Sequence, residues 1–253
     1  MNVKAVSGRT ALLAMGLAAL SACTGAVSVK EVTDNEQGYL ANTFAPASLP
    51  KAIATKLPPD ASPPGVKRLE IVAEAKAELT DGKTDSWRTD STFVEEGKGI
   101  VREVTEASRN NIPYARLYSL TYRGIFDLKW QRVPLQGTTT GQIYEVKEIT
   151  KFDPIPRAAG AEFEVDYTSG PQIQIANLRS FRKVCKATGV EPAARIHAKL
   201  AGEALMLDCE LHGNHTVLSR SKWAMLLHYG AAIGLENTNS SRKTTYKVVD
   251  VRG

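Results

Sequence analysis

From residue 66 onward the apolar residues recur mostly at every second position. Leu69, Ile71, Ala73, Ala75, Ala77 and Leu79 alternate with polar partners such as Glu70, Glu74, Lys76 and Glu78. Successive side chains of a strand point to opposite faces, so this period marks half-buried strands. Ala, Glu and Lys also favour helices, and a helix competes at this first segment. The alternation returns in Phe163, Val165 and Tyr167, which interleave with Glu162, Glu164 and Asp166. It returns again in Leu205, Leu207, Cys209 and Leu211.

Turn residues punctuate the pattern. Residues 92–106 read as a hairpin about Glu96-Gly97-Lys98-Gly99. Gly124 breaks the stretch 114–133 as a bulge or a break. Gly213-Asn214 reads as a two-residue hairpin turn, and residues 237–242 as another polar turn. One short helix is expected between Pro192, at a first helical position, and Gly202, at the stop. About ten strands joined by short turns, without strand–helix alternation, predict a mainly β protein. Its antiparallel sheet is a curved sheet, an open barrel or a sandwich, with one short helix. The strand-rich part, 66–253, reads as a single β-rich domain. An apolar fraction of 43% suffices for its core.

The first 23 residues carry a different kind of signal. Lys4 and Arg9 precede a short apolar run, 11–20, with no acidic residue among them. The run is shorter than the roughly 20 apolar residues of a spanning helix and fits an export signal. It ends in Leu20-Ser21-Ala22-Cys23, which resembles the lipobox of bacterial lipoproteins. The resemblance covers the signal alone. It implies cleavage after residue 22 and acylation of Cys23, the new N-terminus, which ties the body to a membrane. Thr24 at the next position implies delivery to the outer membrane, facing the periplasm. Loss of Lys4 and Arg9 would leave 30 basic against 27 acidic side chains. That balance gives no case for nucleic-acid binding.

Residues 23–65 read as the lipidated N-terminus and a tether. Six of the twelve prolines fall between Pro46 and Pro64, a composition that favours extended polyproline geometry and a semi-rigid spacer. The less polar stretch 38–44 is expected to dock back on the body. The two remaining cysteines, Cys185 and Cys209, read as one disulfide in an oxidising compartment, with two buried thiols as the alternative.

No catalytic constellation stands out. Ser180-Phe181-Arg182-Lys183 and Ser219-Arg220-Ser221-Lys222 match the Ser-x-x-Lys pattern of penicillin-interacting serine enzymes, but the accompanying Ser-Asp-Asn and Lys-Thr-Gly elements are absent. Cys209, His212 and His215 suggest metal spacing. Strand parity separates Cys209 from His212, and two imidazoles facing across a turn make a poor zinc site. We therefore expect no metal and no cofactor. The weaker candidates are aromatic and basic. Tyr118, Tyr122, Phe126 and Trp130, with Tyr114, could line a ligand cavity, although β-core packing explains them equally. Arg179 and Arg182, with Lys183 and Lys186, form a basic cluster around Phe181 that could meet anionic headgroups, although a solvated strand face explains it.

The sequence therefore predicts a non-enzymatic, lipid-anchored envelope protein whose β-domain binds an apolar or amphiphilic ligand such as a lipid. The alternative is an accessory lipoprotein docking on another envelope protein or on the cell wall.

Overall fold

The structure is a computed structural model that describes residues 27–59, 67–214 and 216–252. The signal, Cys23 and the lipobox lie outside the described residues, as does His215. Twelve antiparallel strands form one closed ring. They are β1 (Arg68–Leu79), β2 (Thr84–Gly97), β3 (Ile100–Arg109), β4 (Ile112–Tyr122), β5 (Phe126–Pro134), β6 (Ile143–Phe152), β7 (Glu162–Pro171), β8 (Arg179–Pro192), β9 (Glu203–Gly213), β10 (Thr216–Leu226), β11 (Ala231–Asn239) and β12 (Arg242–Arg252). Each pairs with its neighbour in sequence, and β1 closes the ring on β12. The alternation at 69–79 is therefore strand, and of the architectures left open by the sequence a barrel is the one formed.

The ring is thin at two places. β5 pairs with β6 only at Lys129–Glu145, Trp130–Tyr144 and Gln131–Ile143. β11 pairs with β12 only at Glu236–Thr245, Asn237–Thr244 and Thr238–Lys243. These seams divide the strands into two six-stranded halves. Two apolar clusters each draw on both halves. One gathers Tyr118, Leu120, Tyr122, Phe126 and Leu128 with Phe163, Val165, Leu205, Leu207 and Met225. The other gathers Leu69, Ile71, Phe93 and Val101 with Ala224, Leu226, Ala231 and Ile233.

The β4–β5 turn joins the halves at one end. Arg123 donates its N–H to the Gly99 carbonyl at 2.7 Å, and its own carbonyl accepts from Ala232 N at 2.7 Å. Gly124 has φ +71°, and a Cβ there would lie 2.7 Å from the Ala232 carbonyl oxygen. The break expected at Gly124 is thus a hairpin turn that only glycine fits.

Much of the outer wall is charged. Arg68–Glu70, Lys76–Glu78, Arg88–Asp90 and Arg220–Glu210 are exposed ion pairs on β1, β2, β9 and β10. A lipid-facing barrel carries an apolar band, and a Lys or Arg at the bilayer midplane costs about 2–4 kcal/mol. This wall faces water.

Within the described residues 27–59, the segment expected as an extended spacer is folded instead. α1 (Val29–Asp34) is capped by Ser28, whose Oγ accepts from Glu31 N at 3.1 Å. α2 (Glu36–Thr43) is capped by Asn35, whose Oδ1 accepts from Gly38 N at 3.2 Å. Pro46 opens a 3-10 turn, Pro46–Ser48, and Pro50 immediately precedes α3 (Lys51–Ala54). Here proline starts turns, where its missing N–H costs nothing, rather than extending the chain. Val32, Phe44 and Ile53 are fully buried against the first cluster. The expected docking of 38–44 does occur. The extended geometry does not, because the apolar residues between the prolines gain more by burial, about 2 kcal/mol for each large side chain.

Other local expectations also shift. The helix expected near 192–202 shrinks to one 3-10 turn, Ala193–Arg195. The β8–β9 pairing runs on to Pro192–Glu203, and Ala193 N donates to the Gly202 carbonyl at 2.9 Å, so the segment is a hairpin connection. β8 begins only at Arg179, after the loop that follows Pro171. β10 ends at Leu226, and β11 follows it. Twelve strands form where about ten were counted.

Candidate functional site

The residues proposed from sequence do not gather at one site. Tyr118 and Tyr122 lie beneath the N-terminal helices. Tyr118 packs on Tyr39 and Phe44, with ring centroids 5.8 and 6.0 Å away. Its hydroxyl donates to Glu36 Oε1 at 2.8 Å, and Arg116 pairs with the same oxygen at 3.0 Å. Burial, then the Glu36 carboxylate, raises the Tyr118 pKa. Tyr122 donates to the Pro58 carbonyl at 3.3 Å. The Tyr39 hydroxyl bonds Gln131, and Lys129 Nζ lies 3.4 Å from Ser48 Oγ. Of the aromatic residues read as a possible cavity lining, Tyr118 and Tyr122 are packed against the chain's own residues 29–58.

Phe126 is the cross-strand partner of Tyr122, whose ring also meets Phe152, at 5.0 Å. Beyond the three β5–β6 pairs the strands separate, and Phe126 reaches Phe152 at 5.1 Å and Tyr167 at 4.9 Å. Tyr167 stacks on Phe181 at 5.5 Å. Trp130 lies on the opposite face of β5 from Gln131 and stacks on Tyr144 at 5.6 Å.

The basic cluster splits between two faces. Arg182 pairs with Glu164 and Asp166 across β7, Lys186 lies 3.8 Å from Glu162, and Arg179 is exposed. Lys183 has the opposite parity to Arg182 and Lys186 and shares its strand face with Arg179. His212 is opposite Val217 in the register, and its Nε2 lies 3.2 Å from Glu210; its expected pairing with His215 lies outside the described residues. Cys185 and Cys209 are direct cross-strand partners and form the expected disulfide, with Cα atoms 4.0 Å apart.

A constellation that the sequence reading missed lies where the two halves face each other. Glu103 on β3 is opposite Ser119 on β4, Thr121 is opposite both Val101 and Asp127, and all share one face. Lys183 comes from β8 in the other half. Glu103, Asp127 and Lys183 are enclosed by protein. Asp127 is nevertheless exposed, and the other two keep part of their accessible surface. Water therefore reaches part of this set.

The hydrogen bonding is incomplete. Thr105 Oγ1 donates to Glu103 Oε1 at 2.8 Å and sits 2.6 Å from Ser91 Oγ. Lys183 Nζ donates to the Ile125 carbonyl and lies 4.9 Å from the centre of the Trp223 ring. Ser119 Oγ is fully buried without a partner. Burial raises Glu103 to about 7, with Asp127 adding to the rise. Burial also raises Asp127, against the opposing pull of Lys183. Burial lowers Lys183 to about 8, again moderated by Asp127. A carboxyl and an amine that titrate near neutrality, beside an unused hydroxyl, are suited to a polar or charged partner.

Aromatic surface adjoins the charges. Tyr167, raised in pKa by burial and then by Asp127, connects them to Phe126 and Phe181. On the face shared by Trp87, Thr89 and Ser91, a groove of about 590 Å³ opens at the β3–β4 end, lined by Ala75, Trp87, Ser108 and Tyr246 among others. Comparison with known proteins finds no matching family, no matching curated sequence and no matching solved structure.

Parity held the missing signal. Lys183 lies two residues before Cys185, and Glu103 two after Val101, so each shares a face with a residue expected to be buried.

Proposed function

We propose that this chain is a lipid-anchored protein of the cell envelope whose barrel binds an amphiphilic ligand without transforming it. The observation that carries the reading is the enclosed set Glu103, Asp127, Lys183 and Ser119 beside the aromatic wall of Phe126, Tyr167, Phe181 and Trp223. A buried polar group without a partner costs about 1–3 kcal/mol, and a ligand head group offsets that cost. The aromatic wall would hold the apolar part. The lipobox-like end of the signal supports the anchor, and the disulfide suits an oxidising compartment.

The test is mass spectrometry of an organic extract from the full-length protein purified from its native envelope. A near-stoichiometric amphiphile is expected, with occupancy lowered in a Lys183→Met variant. Folded protein that yields no bound molecule would sink the proposal.

The accessory-docking reading has one observation in its favour. The apolar cleft under Tyr118 and Tyr122 is already filled by residues 29–58, so that cleft offers no room for a ligand.

A further inference from the structure

The two ends of the ring differ in a way the strand pattern does not require. One end carries the turns β1–β2, β3–β4, β5–β6, β7–β8, β9–β10 and β11–β12. Among the described residues, seven of the nine large apolar residues that stand exposed lie at this end: Leu79, Ile112, Tyr144, Ile173, Ile175, Val217 and Leu218. The other two, Val190 and Leu227, lie toward the opposite end. The extreme case is the β7–β8 loop, where Ile173 is 66% and Ile175 93% exposed. The loop is nevertheless held in shape. Gln174 Nε2 donates to the carbonyls of Ala176 and Asn177 at 2.8 and 3.0 Å, and Gln174 N donates to the Pro171 carbonyl at 2.9 Å. A loop ordered by its own hydrogen bonds, yet holding two isoleucines in water, is built to meet an apolar medium.

The start of the described chain is fixed at the same end. Thr140 N donates to the Val27 carbonyl at 3.0 Å, Ser28 bridges to Thr139, and Val29 N donates to the Thr138 carbonyl at 3.1 Å. These partners belong to the β5–β6 connection. Cys23 precedes Val27 by four residues, a reach of at most about 14 Å. Arg132, Arg179 and Arg242 are exposed around this end.

We propose that this end is the membrane-facing surface, with Ile173 and Ile175 entering the headgroup–acyl boundary beside the lipid on Cys23. The proposal rests on the anchor reading above. The pinned chain start keeps the lipid near these loops, and the arginines match the charge of an anionic leaflet. A short anchor that leaves from the same end as the exposed isoleucines favours a bilayer over a protein partner.

The test uses full-length protein carrying a single environment-sensitive fluorophore on an introduced cysteine, Ile175→Cys or, at the other end, Val190→Cys. Each is bound to vesicles of phosphatidylethanolamine and phosphatidylglycerol, and acylation of Cys23 is read by mass spectrometry of the N-terminal peptide. The expected result is a blue shift and an emission gain of about threefold at 175, with none at 190. Acylated, vesicle-bound protein whose probe at 175 stays in water would overturn this surface and leave the anchor intact. An unacylated Cys23 would remove the anchor reading and this inference with it. Shielding at 175 that needs added envelope protein would replace the bilayer with a protein partner.

Discussion

Replacing Glu103 with Gln should stabilise the protein at neutral pH and leave it unchanged in acid. Burial holds the Glu103 carboxyl at about 7, against an ordinary value of 4.5. The native state therefore binds a proton that the unfolded chain releases between those two values. Stability from this group is fully present below pH 4.5 and is lost as pH rises toward 7. The gap of about 2.5 units, at 1.36 kcal/mol each, sets a ceiling of about 3 kcal/mol. Water in the enclosed space lowers that figure to about 2 kcal/mol. Glutamine is isosteric and cannot ionise, so Glu103→Gln removes the loss. Urea unfolding under non-reducing conditions at pH 4, 6 and 7.5 measures it for wild type and variant. The difference in unfolding free energy should be near zero at pH 4 and about 2 kcal/mol in favour of the variant at pH 7.5. Lys183, lowered to about 8, exerts its own pH dependence mainly above this window and is present in both proteins. Two stability profiles that run parallel from pH 4 to 7.5 would refute the claim that Glu103 is enclosed and poorly compensated.

Three further outcomes follow from the packing. Phe44→Ala should cost about 3–5 kcal/mol, because the ring is fully buried against Tyr118 and Tyr39, and limited proteolysis should then cut within residues 29–58. Gly124→Ala should cost more than about 2 kcal/mol by thermal melting, since the new Cβ would meet backbone at Ala232 in a left-handed conformation. Replacing both Cys185 and Cys209 with Ala should cost about 3 kcal/mol and lower the urea midpoint, the closed loop having a sequence separation of 24.

The alternation of 69–79, 162–167 and 205–211 was enough to read an antiparallel sheet, because one face of each strand is buried and the other wet. Cys185 and Cys209 were legible as a pair because so few cysteines were available. The folding of residues 27–59 was not legible. Proline density suggests extension, and only the burial of Val32, Phe44 and Ile53 against distant strands overrides it. The turn at Gly124 was seen as a break, but its tie to Ala232 depends on strands more than a hundred residues away. The charges facing the second half were missed for a related reason. Glu103 was not singled out, and Lys183 was grouped with Arg182 although adjacent strand residues face opposite ways. Parity marks their face, but that they meet depends on the approach of the two halves, a long-range fact.

The β1–β12 pairing has a consequence for biosynthesis. Arg68–Leu79 lies near the start of the barrel and Arg242–Arg252 at its end, so the first strand cannot acquire its second neighbour until nearly the last residue is available. A chain emerging from a ribosome or a translocation channel would build hairpins in order and carry an open sheet with two bare edges throughout. The charged residues along β1 and β12, among them Glu70, Glu74, Lys76, Lys243 and Lys247, suit that interval, since they discourage pairing with a second copy while the ring stands open. Closure would come late, as one cooperative step with high contact order, and would be slow for the size of the chain. Removing the last dozen residues would therefore stop the molecule at its most adhesive stage rather than simply shorten it.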